Sequence, residues 1–319
     1  MTILVFSEQD PTVNELLAKA REMAPVLGGK VIVMAYPGSP HPENFYKRGA
    51  DRVIVPVSPA LSTPVPLAES YAEMLHRACK ELDPSVILIG STKWGKEVAA
   101  RLAGMLGCGC TLDCSSVALD ANKNLVVERL VLGGNATSTE QFSAFPAIVT
   151  VPAKVIPCLP EAASPGGEVE KRPFEIPAAR VVSLKVTKRE VAGVKLDTAQ
   201  VVVSLGRGVK AKEDIRIISE LAKALKGELG CTRPIAADLK WLPKEHWVGL
   251  SGTKVKPKVY LAVGISGQIQ HIAGMRDSSL IVAINKDKDA PIFKAADYGI
   301  IGDLYKVVPE IMTQLKTCR

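Results

Sequence analysis

The chain has 319 residues, of which 47% are apolar and 23% charged, and a net charge of +7 at neutral pH. At roughly 100–200 residues per domain this length predicts two compact cores, and the composition excludes the disordered and fibrous classes. Lysines and arginines are interspersed with acids, and aromatic residues make up only 5%. Neither a long basic run nor a set of stacking platforms marks a nucleic-acid partner, whereas a basic surface of this kind complements an acidic protein or a polyanionic cofactor.

The opening MTILVFSEQD reaches acidic residues after five apolar ones, without the basic and long apolar regions of a secretory signal. No apolar run approaches the ~20 residues that cross a bilayer. The expectation is a cytoplasmic protein with no integral membrane segment. Seven cysteines, an odd number, suit a reducing compartment and free thiols.

In chain order, TILVFS, KVIVMAY, DRVIVPV and SVILIGS read as buried strands, and residues 13–27 and 67–82 between them have helical apolar spacing; this is the βα pattern of a parallel sheet. Gly28 and Gly29 are the expected stop of the first helix. The segment 94–106 is expected to be a covering helix. After Gly107 the runs SSVALD, NLVVERLVLGG and AIVTVPAKVI are separated by turn residues and predict a mixed or antiparallel extension of the first sheet. Cys108, Cys110 and Cys114 have a spacing that matches no common zinc pattern, with no fourth Cys or His nearby, so packed free thiols are expected. Residues 158–177, CLPEAASPGGEVEKRPFEIP, are rich in Pro, Gly and charge and read as a linker.

The second half is again α/β: a strand at 200–205, the turn Gly206-Arg207-Gly208, a helical run at 213–225, a strand at 258–263, and a strand at 279–284 ending at Asn285. Ligands in such sheets bind at the carboxyl ends of strands. The second strand runs into Gly264-Ile265-Ser266-Gly267. A glycine turn that opens a helix presents N–H groups to an anion, and a bound phosphate and an unliganded tight turn are the two readings of this tetrapeptide. No GxGxxG and no GxxxxGK[ST] motif is present.

GISGQIQHIAGMRDSS at 264–279, followed by LIVAINKDKDAPIFKAADYGIIGDLYKVVPEI at 280–311, resembles the C-terminal signature of electron-transfer flavoprotein alpha subunits. The similarity extends upstream through VVVSLGRGV at 201–209, GCTR at 230–233 and VGLSG at 248–252, and more loosely to LIGSTKWGKEVAARLAGML at 88–106. The resemblance implies a nucleotide-hydrolase-like parallel-sheet α/β domain over residues 1–180, packing on a beta subunit. It implies a doubly wound, Rossmann-like FAD-binding domain over 181–319.

It also implies the site residues. Arg207 matches an arginine beside the cofactor; Thr232 and Arg233 match a Ser-Arg pair whose guanidinium sits over the flavin ring, where a permanent charge favours the reduced, anionic ring. Val248, Gly249, Leu250 and Ser251 match the ring-flanking segment, Ser251 standing for a threonine that reaches the N5 edge and Leu250 for the usual Gln. Ser266, Gly267, Gln268, Ile269, Gln270 and His271 match the turn and helix start on the ribityl and ring O2 side, with His271 placed to stabilise negative charge there. Asn285, Asp303 and Leu304 match the adenosine end.

The function implied is an electron carrier that takes electrons from flavin dehydrogenases, or from a second flavin in the beta subunit, and passes them to a quinone-linked or other acceptor. Simple carriage and electron bifurcation are both compatible with the chain, because the second flavin or an AMP would sit in the beta subunit. The alternative is a nicotinamide- or flavin-dependent oxidoreductase on the same domain; against it, the sequence shows no second set of catalytic carboxylates or histidines.

Overall fold

The computed structural model describes residues 1–161, 167–187 and 193–317. The chain divides into two compact units, Met1–Thr187 and Lys188–Arg319. The first contains β1 (Thr2–Phe6), α1 (Asp10–Leu27), β2 (Lys30–Met34), the single-turn α2 (Asn44–Lys47), β3 (Arg52–Val57), α3 (Ala68–Leu82), β4 (Pro84–Gly90) and α4 (Lys93–Leu106). Then come β5 (Cys110–Thr111), β6 (Cys114–Leu119), β7 (Leu125–Val131), β8 (Ala136–Gln141), β9 (Ala147–Val151) and β10 (Glu170–Pro173).

Seven of these strands form one sheet in the order β10-β3-β2-β1-β4-β9-β5, and every pairing in it is parallel. A parallel sheet is covered on both faces, which is why its strands are apolar throughout rather than alternating with polar residues. In β1, Ile3 and Val5 enter the core under α1, while Leu4 and Phe6 enter the opposite core under α3 and α4. The carboxyl ends of β1, β2 and β4 are occupied by the protein's own rings. Tyr36 stacks on Tyr71 at 5.6 Å, and Trp94 meets Tyr71 edge-on at 4.9 Å, with the Trp94 indole N–H donating to Pro66 O at 3.0 Å.

Two expectations for this unit need correction. Strands β6, β7 and β8 do not extend the first sheet; they form a separate antiparallel sheet of three, and only β9 and β5 join the large sheet, in parallel. Strand β9 is buried at every position, the signature of a central strand, whereas β8, ATSTEQ, alternates half-buried and exposed. The expected linker 158–177 also contributes structure. Within it β10 pairs with β3, Arg52 is paired with Glu170 and Phe174 is buried. Residues 162–166 of that stretch lie outside the described ones. Cys108, Cys110 and Cys114 are free thiols, and burial pushes Cys110 and Cys114 up to about 11 and about 12. Among the described residues no helix is long and apolar enough to cross a membrane.

The second unit holds β11 (Val201–Leu205), α5 (Ile215–Ala224), β12 (Glu228–Cys231), β13 (Val259–Val263), α6 (Ile269–Ile272), β14 (Ile281–Asn285), β15 (Tyr298–Ile301) and α7 (Leu304–Thr317). Its sheet runs β12-β11-β13-β14-β15, parallel throughout. Alternation again divides the side chains between two cores: Leu261 and Val263 of β13 face α5 and α7, while Tyr260 and Ala262 face Val248, Met275 and Ile292. The chain leaves β11 toward β12 on one side and later returns with β13 on the other, so the topological switch point lies between the ends of β11 and β13. Leu205 ends β11 fully buried. Leu205→Ala is expected to cost roughly 2–5 kcal/mol of stability, read as a lower urea midpoint with unchanged m-value.

Candidate functional site

The turns that follow β11 and β13 meet backbone to backbone. Gly208 N donates to Gly264 O at 2.9 Å and Gly206 N to Val263 O at 3.0 Å. A Cβ on Gly208 would stand 2.6 Å from Gly264 Cα, and Gly264 itself has φ +61°, so neither position accepts a side chain without the strand ends moving apart. Behind them, the end of β12 is held by Thr232 N donating to Leu205 O at 3.0 Å, and the segment at 248 by Val248 N donating to Cys231 O at 2.9 Å. The end of β14 is closed by Asn285, whose Nδ2 donates to Ile265 O at 2.8 Å and whose Oδ1 accepts from Asp287 N at 3.0 Å.

These segments enclose a cavity of about 510 Å³, lined by Arg207, Thr232, Arg233, Val248, Leu250, Ser251, Ser266, Gln268, Gln270, His271 and Asn285 among others. A smaller hollow of about 80 Å³ is lined by Asp303 and Leu304 and shares Gly208, Gly264 and Asn285 with the large one. The structure therefore brings together in one cavity most of the residues singled out from sequence, and puts Asp303 and Leu304 beside it. Gly249, Gly267 and Ile269 line neither space. Their part is in the backbone: Gly249 N donates to Thr253 O at 3.2 Å, and Gly267 has φ +87° with its α-carbon so close to Ile292 that a Cβ would lie 2.2 Å from Ile292 N.

The electrostatics of the cavity are distinctive. Arg207 and Arg233 are exposed at its wall, and among the described residues neither has an ion-pair partner. The Thr232 hydroxyl is one of four buried side-chain polar atoms without a hydrogen-bond partner among the described residues, and the one of them whose residue lines this cavity. A hollow of about 540 Å³ in the first unit offers a contrast: Lys19 and Arg21 line it, but they are already paired with Glu22 and Asp51. The volume of the second-unit cavity falls within the range of cofactor sites, and its unpaired cations and orphaned hydroxyl suit a polar, polyanionic dinucleotide.

Two sequence readings are refined here. The short helical stretch expected after Gly264-Ile265-Ser266-Gly267 is present as α6. Positive φ at Gly264 and Gly267 keeps the turn before it a loop, and α6 is a single turn of four residues, too short for its peptide dipoles to accumulate. His271 is not free to donate into the cavity. Its Nδ1 lies 3.1 Å from Val248 O and its Nε2 lies 2.9 Å from the Tyr260 hydroxyl. A carbonyl only accepts, so Nδ1 carries the hydrogen and, in the neutral ring, Nε2 accepts from Tyr260. Burial pushes the imidazole down to about 4, against a smaller opposing effect of the Val248 carbonyl. Sequence reading also passed over Trp247 and Asp287, which line the cavity, and Tyr260; the aromatic directly before VGLSG was the available signal for Trp247.

Comparison with known proteins agrees with this geometry. Residues 3–177 match the electron transfer flavoprotein domain and residues 195–276 the electron transfer flavoprotein FAD-binding domain. The electron transfer flavoprotein subunit alpha of Thermoanaerobacterium thermosaccharolyticum is 38% identical over 307 residues, covering 95% of this chain and 92% of that protein. The lactate dehydrogenase (NAD(+),ferredoxin) subunit LctC of Acetobacterium woodii is 37% identical over 315 residues, covering 96% and 73%. Protein FixB of Escherichia coli O127:H6 is 38% identical over 250 residues, covering 78% and 80%. The fold and the cavity define a dinucleotide-binding α/β protein. The chain belongs to the electron transfer flavoprotein family, as an alpha-type subunit whose second unit carries the FAD-binding domain.

His271 has a pH signature. Its folded value of about 4 lies below the ordinary 6.5, so as pH falls the unfolded chain binds the proton first and stability is lost between pH 6.5 and 4, by about 3 kcal/mol in all. Urea unfolding in steps from pH 7 to 4.5 should show this component in the wild type and lack it in His271→Gln.

Proposed function

We propose that the cavity at the ends of β11 and β13 holds FAD and that the chain works as an electron carrier whose redox level its own side chains set. The observation that carries this reading is the convergence on one cavity of two unpaired guanidiniums and a buried, unpartnered threonine hydroxyl. When bound, FAD supplies the capacity to accept and release one or two electrons; everything else is done by the chain.

Arg207 and Arg233 place fixed positive charge at the wall and favour whichever state of the bound group carries more negative charge. Thr232, Ser251 and Ser266 offer hydroxyls, and Gln268 and Gln270 amides, from the same wall. Asn285, with Nδ2 committed to Ile265 O, retains a second amide hydrogen, and it joins Asp303 and the Leu304 backbone to form the adenosine end. Leu250, half exposed at the cavity, contributes apolar cover where the family has a polar side chain. His271 acts as a neutral, internally bonded group. No acid or base pair positioned for substrate chemistry lines this cavity among the described residues, which favours electron carriage over a substrate-converting oxidoreductase.

An alpha subunit belongs with a beta subunit. The donors in this reading are flavin dehydrogenases and the acceptor a quinone-linked or similar oxidoreductase, in the cytoplasm. Similarity to the LctC subunit, whose name couples NAD(+) and ferredoxin to lactate, supports a second reading in which the complex divides electrons between two acceptors.

Acid extraction of the full chain purified with its beta subunit should release at least one FAD per alpha chain; NAD in place of FAD, or an extract without flavin, overturns the assignment. Arg233→Ala should lower the midpoint potential of the bound flavin by the order of 1 kcal/mol per electron, the effect of a solvent-screened charge. Spectroelectrochemistry that finds the potential unchanged or higher while FAD stays bound removes the charge role from Arg233.

A further inference from the structure

Tyr260 is fully buried on β13, and its hydroxyl ends in the core rather than in solvent. A buried phenol keeps its polar end only where it finds a partner, and here Nε2 of His271 lies 2.9 Å away, with the two rings 6.1 Å apart and inclined at 56°, while the buried Ser204 hydroxyl also neighbours the phenol. The other side of the imidazole reaches Val248 O at 3.1 Å. The Val248 N–H in turn donates to Cys231 O at 2.9 Å, and the next residues are tied by Leu250 N donating to Gln270 O at 2.7 Å. A continuous chain of hydrogen bonds thus runs from β13 through Tyr260 and His271 to the 248–250 segment and on to the end of β12. Val248, Leu250 and His271 line the large cavity; Tyr260 does not.

We infer that Tyr260 is a positioning residue for the redox site, holding the His271 ring in the one tautomer and orientation that anchors Val248 and with it the wall that carries Leu250 and Ser251. This rests on the FAD reading of the cavity given above, but the Tyr260 to His271 bond is a property of the chain itself. The physical argument is one of polar satisfaction. The Val248 carbonyl fixes the hydrogen on Nδ1, which leaves Nε2 as a buried acceptor. Without the Tyr260 hydroxyl that acceptor loses its donor, and rotation of the ring away from Val248 relieves the loss. Of the hydrogen bonds holding the 248–250 segment, the one from His271 Nδ1 depends on a side-chain torsion, so it is the one a distant residue can control.

The test uses the full chain with 15N-labelled histidine. His271 is assigned as the imidazole whose signals vanish in His271→Gln. The wild type should show a protonated Nδ1 and an Nε2 shifted as a hydrogen-bonded acceptor. In Tyr260→Phe, which keeps the ring volume, the Nε2 signal should move toward that of a free ring nitrogen, FAD should dissociate at least about tenfold more readily, and the midpoint potential should shift. In a His271→Gln background, Tyr260→Phe should add no further change in potential, because its effect passes through the imidazole.

A wild-type spectrum with the hydrogen on Nε2 overturns the assignment. So does a Tyr260→Phe protein with unchanged FAD affinity and potential, or one whose effect persists undiminished in the His271→Gln background. If Tyr260→Phe does not fold, the wild-type nitrogen spectrum decides alone. A chain that yields no flavin on extraction defeats the FAD reading, while the spectrum still decides for or against Tyr260.

Discussion

The second unit depends on one close approach, the contact of the Gly208 and Gly264 backbones at the ends of β11 and β13. Both turns lack side chains where they touch, so two neighbouring strands end in loops that brace each other instead of diverging. That contact fixes the direction in which each loop leaves the sheet. Arg207, flanked by two glycines, is turned outward to the cavity wall, and the loop after Gly264 passes over the sheet end to meet Ile292, whose N–H donates to Ser266 O at 3.0 Å. The hollow at the switch point is the space these constrained loops cannot fill, which is the general reason open α/β sheets bind ligands there.

The two units share one architecture and treat their strand ends differently. In the first, Tyr36, Tyr71 and Trp94 pack over the carboxyl edge, so the place where a doubly wound sheet receives a ligand is filled from within. In the second, the corresponding edge is lined by Arg207 and Arg233, which have no ion-pair partner among the described residues. Charge left uncompensated beside a cavity has an energetic cost that a bound anion relieves, and the first unit pairs its cavity-lining cations internally instead. A net charge of +7 is thus less informative than where the unpaired part of it sits.

Central strands were legible because burial on both faces leaves a continuous apolar run, as in SVILIG and VYLAV. Edge and short strands were not. Glu170–Pro173 is all charge and proline, a composition that local rules assign to a linker but that an edge strand tolerates because one side of it faces solvent. Strand β12, ELGC, is too short and too glycine-bearing to show a period. In the cavity, the residues carried by family resemblance were legible as a list, while the state of His271 was not. Tyr260 reads as one more apolar member of a strand, and nothing local to VYLAV says that its hydroxyl meets a ring eleven positions later. Hydrogen-bond partners distant in sequence, and the tautomer they impose, belong to tertiary structure.

Strand β10 lies at the far edge of the first sheet, yet its partner β3 spans Arg52–Val57, more than a hundred residues earlier. During synthesis β1 to β4 emerge long before residues 170–173, so a nascent chain presents β3 as an open edge until the last strand of the unit clears the ribosome. An open parallel edge is a template for pairing with other chains. The charged composition of β10, with Glu170 paired to Arg52, lets ionic attraction guide this late arrival to its place. The arrival of residues 170–173 therefore replaces the apolar edge of β3 with a strand of charge and proline, a composition that discourages pairing with other chains.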